Sequence, residues 1–189
     1  MALTDKDQQT LLKLAREVIS CAARQQTLPL LSLGGYSLDL QQDGASFVTL
    51  TRGGDLRGCI GSLEPRRPLV VDVRENAISA AMRDPRFMPV NAEEVDDLHI
   101  EISVLSEPEP LLYQGSDDLM AKLRPGVDGV VIEASVNRAT FLPQVWEKLP
   151  EPTQFLEQLC RKAYLPPDAY KHPGLNVYTY QVDKFEEEA

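Results

Sequence analysis

Arg57 and Cys59 are the residues whose types and spacing most readily do chemistry in this chain. They stand in the string Leu56-Arg57-Gly58-Cys59-Ile60-Gly61, with Ser62 next. In an extended strand alternate side chains share a face, so a guanidinium and a thiol two residues apart point the same way. A cation beside a thiol favours the nucleophilic thiolate, and Arg57 can also pair with an anionic group of a substrate, against the alternative of a structural salt bridge to one of the 29 acidic residues. Glycine inside a strand marks a bulge, a bend or a place where something comes close to the backbone. With Gly58 and Gly61 flanking it, Cys59 is expected to be accessible, and the two glycines to line the space a substrate enters. The competing reading is a cysteine packed into a tight strand that needs small residues.

A thiol nucleophile needs a base within reach. The chain has two histidines, His99 and His172, and their positions in the sequence bring neither to Cys59. Glu64, in the loop after the hexapeptide, is a candidate acid or base, against the alternative of a solvated carboxylate. Asn76 falls in the middle of a helical stretch, where asparagine is unfavourable, and is expected to satisfy a backbone group or contact the site. Asp84 and Arg86 bracket Pro85, where they line the site or form a helix-ending ion pair. Thr140 lies on a second hairpin and supplies a hydroxyl if that hairpin faces the first. Phosphate-binding glycine loops, nucleophile-elbow serines and metal-spaced Cys or His pairs are absent, so no metal site is expected.

These residues must be positioned by a recognisable set of elements. Thr4 is a plausible N-cap for an apolar-periodic helix reaching about Arg24. Phe47 to Leu50, the turn Arg52-Gly53-Gly54-Asp55 and Leu56 to Gly61 read as a β-hairpin. Leu69 to Met82 is helical, with small alanines on its apolar stripe. Leu98 to Val104 alternates as a half-buried strand. A helix capped by Ser116 follows, then a hairpin over 129–142, a short helix from Pro143 through Leu149, and a helix capped by Thr153. Val177 to Val182 closes the chain as a single strand. Frequent hairpins predict an α+β fold with a mostly antiparallel sheet flanked by helices. The blocks 47–82 and 129–163 are each a hairpin followed by a helix, which hints at an internal structural duplication.

The whole chain narrows the function classes. Its 189 residues make one domain, or one compact unit with two lobes whose boundary need not be continuous. A net charge of −10 argues against nucleic acid and anionic membranes, which need clustered Lys and Arg. No apolar run approaches the ~20 residues of a bilayer span. The polar start, Met1 to Asp7, predicts no secretory leader. Three widely spaced cysteines fit free thiols in a reducing cytoplasm.

The chain resembles the AMMECR-one family, whose hallmark is the Leu-Arg-Gly-Cys-Ile-Gly string. Collinear segments extend the likeness from about Phe47 to the C-terminus. They include Leu63 to Leu69, Glu75-Asn76-Ala77, Arg83-Asp84-Pro85-Arg86-Phe87, Glu101 to Leu105, Arg124 to Gly129 and Ala139 to Trp146. The resemblance implies two unequal lobes with the hallmark near the cleft between them. It also implies a place in a three-part system with a Memo-like protein and a radical SAM protein. An enzyme or enzyme subunit acting on a small molecule or partner protein is then expected, with no cofactor named; a non-catalytic module that binds a peptide or protein partner is the alternative. The sequence departs from the family pattern at Tyr164, where glycine is expected, at Met88, and in the turn Ser135-Val136-Asn137.

Overall fold

The computed structural model describes residues 3–188. In chain order the principal elements are α1 (Asp5–Ala23), α2 (Leu38–Gln41), β1 (Ala45–Arg52), β2 (Asp55–Gly61), α3 (Leu69–Met82), β3 (Leu98–Leu105), β4 (Glu109–Pro110), α4 (Gly115–Lys122), β5 (Gly129–Ala134), β6 (Asn137–Phe141), α5 (Pro152–Lys162), β7 (Asn176–Tyr180) and β8 (Val182–Glu186). They form two compact units. One runs to Leu105 and resumes at Asp183; the other is Ser106–Val182. Each holds a four-stranded antiparallel sheet, so the fold is α+β. No helix among the described residues is long and apolar enough to cross a membrane.

In the first unit the sheet order is β2-β1-β3-β8. The strict alternation of β3 sends Leu98, Ile100, Ile102 and Val104 into a core shared with Val48 and Leu50. Helices α1 and α3 supply the rest, including Leu11, Ala15, Val18, Val73 and Ala77. The alanines of α3 let it lie close to the strands: a Cβ on Gly58 would stand 2.2 Å from the Ala80 carbonyl oxygen. The opposite face carries Thr49, Thr51, Cys59, His99 and Glu101, all half-buried. Thr4 caps α1 as expected, its hydroxyl oxygen accepting from the Asp7 amide at 3.2 Å.

In the second unit the order is β4-β7-β5-β6. Its core packs Val130, Ile132 and Val177 against Leu156 and Leu159 of α5. Trp146 stacks on Phe155 with centroids 3.7 Å apart, and its indole N–H donates to the Asp128 carbonyl at 2.8 Å.

Several expected boundaries move. Helix α4 starts at Gly115 with Gln114 at the N-cap, so Ser116 lies inside it. Pro152 opens α5, and its fixed φ suits the first helical position, which places Thr153 inside too. The segment from Pro143 is a 3-10 helix ending at Glu147. The closing strand is two strands: β7 belongs to the second sheet and β8 to the first, with Gln181 between them. Alternation marks a segment as extended but carries no information about its partner. Glu187 fastens this return, accepting from Arg16 Nε at 2.8 Å and from the Ile100 amide at 3.0 Å.

Candidate functional site around Cys59

The hairpin β1–β2 turns through Gly53 and Gly54, whose φ values of 59° and 89° suit the primed turns that match strand twist. Beyond the turn the register shifts. Thr51 faces Leu56 and Leu50 faces Gly58, which leaves Arg57 without a partner on β1. A β-bulge of this kind re-aims a side chain. The Arg57 guanidinium goes to Glu94, with Nε 2.9 Å from Oε1 and Nη2 3.0 Å from Oε2. That pairing, with the Asn91 amide, pulls the Glu94 carboxyl down to about 2. Arg57 is therefore in the structural salt bridge that stood as the alternative to its being the thiol's cation.

A different arginine stands beside Cys59. Strand β2 is the sheet edge, so its outward backbone groups lack a strand partner. At Cys59 the turn after α3 supplies one. The Cys59 N–H donates to Asp84 Oδ2 at 2.9 Å, and Arg86 Nη2 donates to the Cys59 carbonyl at 3.1 Å. Asp84 and Arg86 also bond each other, at 2.9 Å from Nε to Oδ1 and 2.7 Å from Nη2 to Oδ2. Asp84 is 3% exposed. The Arg86 guanidinium holds its carboxyl well below the usual range, and the Cys59 and Arg86 amides add to this. The same bond raises the Arg86 pKa, with a smaller contribution from Cys59. Phe87 lies between the two systems, its ring centroid 6.0 Å from the Arg57 guanidinium carbon and 5.5 Å from that of Arg86.

The thiol is half-buried. Its cross-strand partner is Thr49, whose hydroxyl donates to Sγ at 3.3 Å. Thr49 in turn faces Glu101 on β3, and the Glu101 carboxylate pairs with Lys184 Nζ at 2.7 Å. Hairpin register would have revealed Thr49; Lys184 lies in β8, beyond the strand expected over 177–182, where the residue pattern gives no sign of a further strand in the first sheet. Neither imidazole bonds the sulfur. His99 pairs with Glu186 at 3.1 Å, and His172, in the second unit, with Asp168 at 3.2 Å.

The remaining candidates have other duties. Gly58 is buried and faces α3, so it lines the core side of the strand and not a ligand space. Gly61 makes room for the Phe47 ring, which a Cβ would meet at 2.2 Å. Asn76 is 4% exposed, its amide donating to Ser46 O at 3.0 Å and Asp72 Oδ2 at 2.9 Å. Asp72 also accepts from the Ser46 hydroxyl, the Ser62 hydroxyl and Arg67 Nε, which ties α3 to both hairpin strands. Glu64 accepts from Arg66 Nε at 3.0 Å. Thr140 is in the second unit, its hydroxyl 3.0 Å from that of Tyr180. Burial pushes Tyr180 up to about 12. Among the described residues no group of three His, Cys, Asp or Glu is placed to hold a metal.

A sequence model of the AMMECR1 family matches residues 12–185. A protein from Methanothermobacter thermautotrophicus is 46% identical over 147 residues, covering 75% of this chain and 74% of its own. One from Methanocaldococcus jannaschii is 41% identical over 138 residues, covering 70% and 67%. The crystal structure of an uncharacterized protein from Pyrococcus horikoshii is similar at a TM-score of 0.80 and 34% identity, over 98% of this chain and 94% of that one.

Proposed function

The chain belongs to the AMMECR1 family, and from that premise we propose that it is an enzyme, or an enzyme subunit of a small modification system, working through Cys59. The observation that carries this reading is the clamp on the Cys59 peptide, whose N–H and C=O are both held by the Asp84–Arg86 pair. Fixing a backbone at both ends on a sheet edge positions its side chain, which is what a reacting group requires. Thr49 supplies a donor to the sulfur. Arg57 and Glu94 act one step back, through the wall they form beside Phe87. The substrate is a small molecule or a group on a partner protein. Memo-like and radical SAM proteins, implied by the resemblance, are the partners to test.

Iodoacetamide labelling near neutral pH tests the thiol. Cys59 is expected to label faster than the same thiol in a free peptide, and Cys59→Ser and Cys59→Ala are expected to lose in-cell function while melting within a few degrees of wild type. A second reading has its own support: packing against Ala80 and Phe47 accounts for Gly58 and Gly61 without any ligand. On that reading the protein is a partner-binding module and Cys59 a packing residue. Labelling no faster than the peptide, with function and partner binding retained in both variants, would establish it in place of the first.

A further inference from the structure

Both arginines near the thiol spend the same two nitrogens on a carboxylate. Arg57 uses Nε and Nη2 on Glu94, and Arg86 uses Nε and Nη2 on Asp84. Their exposure differs. The Arg57 side chain is 15% exposed and its Nη1 is buried without a partner. The Arg86 side chain is 54% exposed, and its Nη1 makes no hydrogen bond among the described residues. Arg86 is thus held rigidly by a carboxylate that is itself almost wholly buried, with Nη1 left over. Its Nη2 already touches the carbonyl of Cys59. A fixed, partly exposed guanidinium with an unused nitrogen suits a carboxylate or phosphate oxygen, because little side-chain freedom remains to be lost on binding.

We infer that the group brought to Cys59 is anionic, and that Arg86, not Arg57, is its anchor. This rests on the reading of Cys59 as a working thiol and names the substrate class for it: a molecule, or a modified partner side chain, that presents a carboxylate or phosphate next to the atom the thiol meets. Arg57 keeps its place as a wall residue, since its unused nitrogen is out of solvent reach.

Two alkylating agents that differ in charge separate the alternatives. At one pH the thiolate fraction is common to both, so the ratio of the iodoacetate rate to the iodoacetamide rate reports the charge a ligand meets. The ratio is read peptide by peptide by mass spectrometry on the intact, folded chain, with a free cysteine peptide as reference. At low salt, Cys59 is expected to show a ratio about twofold above the reference, short of the effect of a lone unit charge because Asp84 offsets part of the Arg86 charge. Raising salt should lower it. Arg86→Gln should bring it to the reference or below, since Asp84 then loses its cation, Arg86→Lys should retain part of it, and Arg57→Gln should leave it. Should Arg86→Gln fail to fold, the salt series and Arg86→Lys carry the test. A wild-type ratio equal to the reference, or one unchanged in Arg86→Gln, overturns the anionic assignment and leaves the thiol reading intact. Absence of iodoacetamide labelling at Cys59 overturns the thiol reading, and this inference with it.

Discussion

The two units carry the same motif with different contents. In each, a hairpin is followed by a helix and then a strand that pairs with the hairpin's first strand: β1–β2, α3, β3 in one, and β5–β6, α5, β7 in the other. Counted from the turns, Arg52–Asp55 matches Ala134–Asn137, and the pairs proceed in step once the bulged Arg57 is passed over. Leu50–Gly58 then matches Ile132–Ala139, and Thr49–Cys59 matches Val131–Thr140. The next strand contributes Glu101 in the first unit and Tyr178 in the second. A row that reads thiol, hydroxyl, carboxylate in one sheet reads hydroxyl, valine, phenol in the other. The shared topology supplies the platform. The bulge, the glycine and the clamp from the Asp84 turn are what single out Cys59.

The comparison breaks most visibly at its core position. Gly58→Ala places a Cβ against a backbone carbonyl that cannot yield, and should cost about 3 kcal/mol in thermal or denaturant unfolding. The matched change in the other unit, Ala139→Gly, should cost about 1 kcal/mol. Similar losses at the two sites would mean that close packing of α3 is not what the first hairpin requires.

The ion pair behind the bulge comes next. Glu94 has a depressed pKa in the folded chain, so its contribution is present above the unfolded value near 4.5 and is lost as pH falls through about 2. Glu94→Gln should therefore lower stability at neutral pH by roughly 2 kcal/mol and flatten the acid side of the stability curve between those values. An unchanged slope would remove Arg57–Glu94 from the account of the wall.

Thr140→Cys sharpens the contrast directly. It puts a thiol at the matched position without an Asp84–Arg86 clamp, and its preference between iodoacetate and iodoacetamide should equal that of a free peptide. A preference as strong as that expected for Cys59 would show that sheet position alone confers it.

The smallest effect concerns how the two matched helices end. Helix α3 leaves through Arg83 at φ −134°, whereas α5 leaves through Tyr164 in the left-handed region at φ 59°. Tyr164 is 92% exposed, so its side chain loses little by removal. Tyr164→Gly should raise the stability by about 1 kcal/mol, the usual cost of that conformation for a residue with a Cβ.

Much of this was legible from residue order. Alternation in 98–104 and helical spacing in 69–82 gave elements whose limits the structure moves by a residue at most. The glycine turn gave the first hairpin, and the expectation of glycine at 164 marked the position that is in fact left-handed. The site was less legible. Asn76 is an atypical helix residue, as its type suggests, but two of its partners, Ser46 and Ser62, lie on other stretches of chain and the third, Asp72, one turn back on the same helix. The expected closing strand, 177–182, covers β7 from Val177 on and stops as β8 begins, because the pattern of 183–186 does not mark it as a strand of the other sheet.

Local sequence determined the helices, most of the strands and the presence of a cysteine in a strand with glycines at 58 and 61, because side-chain periodicity and turn chemistry act over a few positions. Tertiary structure decided which arginine serves it. One extra residue in β2 turned Arg57 toward Glu94, and the unpaired backbone of an edge strand drew in Asp84 and Arg86 from the far end of a helix. That choice depends on satisfying buried polar groups across the fold, which no spacing along the chain encodes.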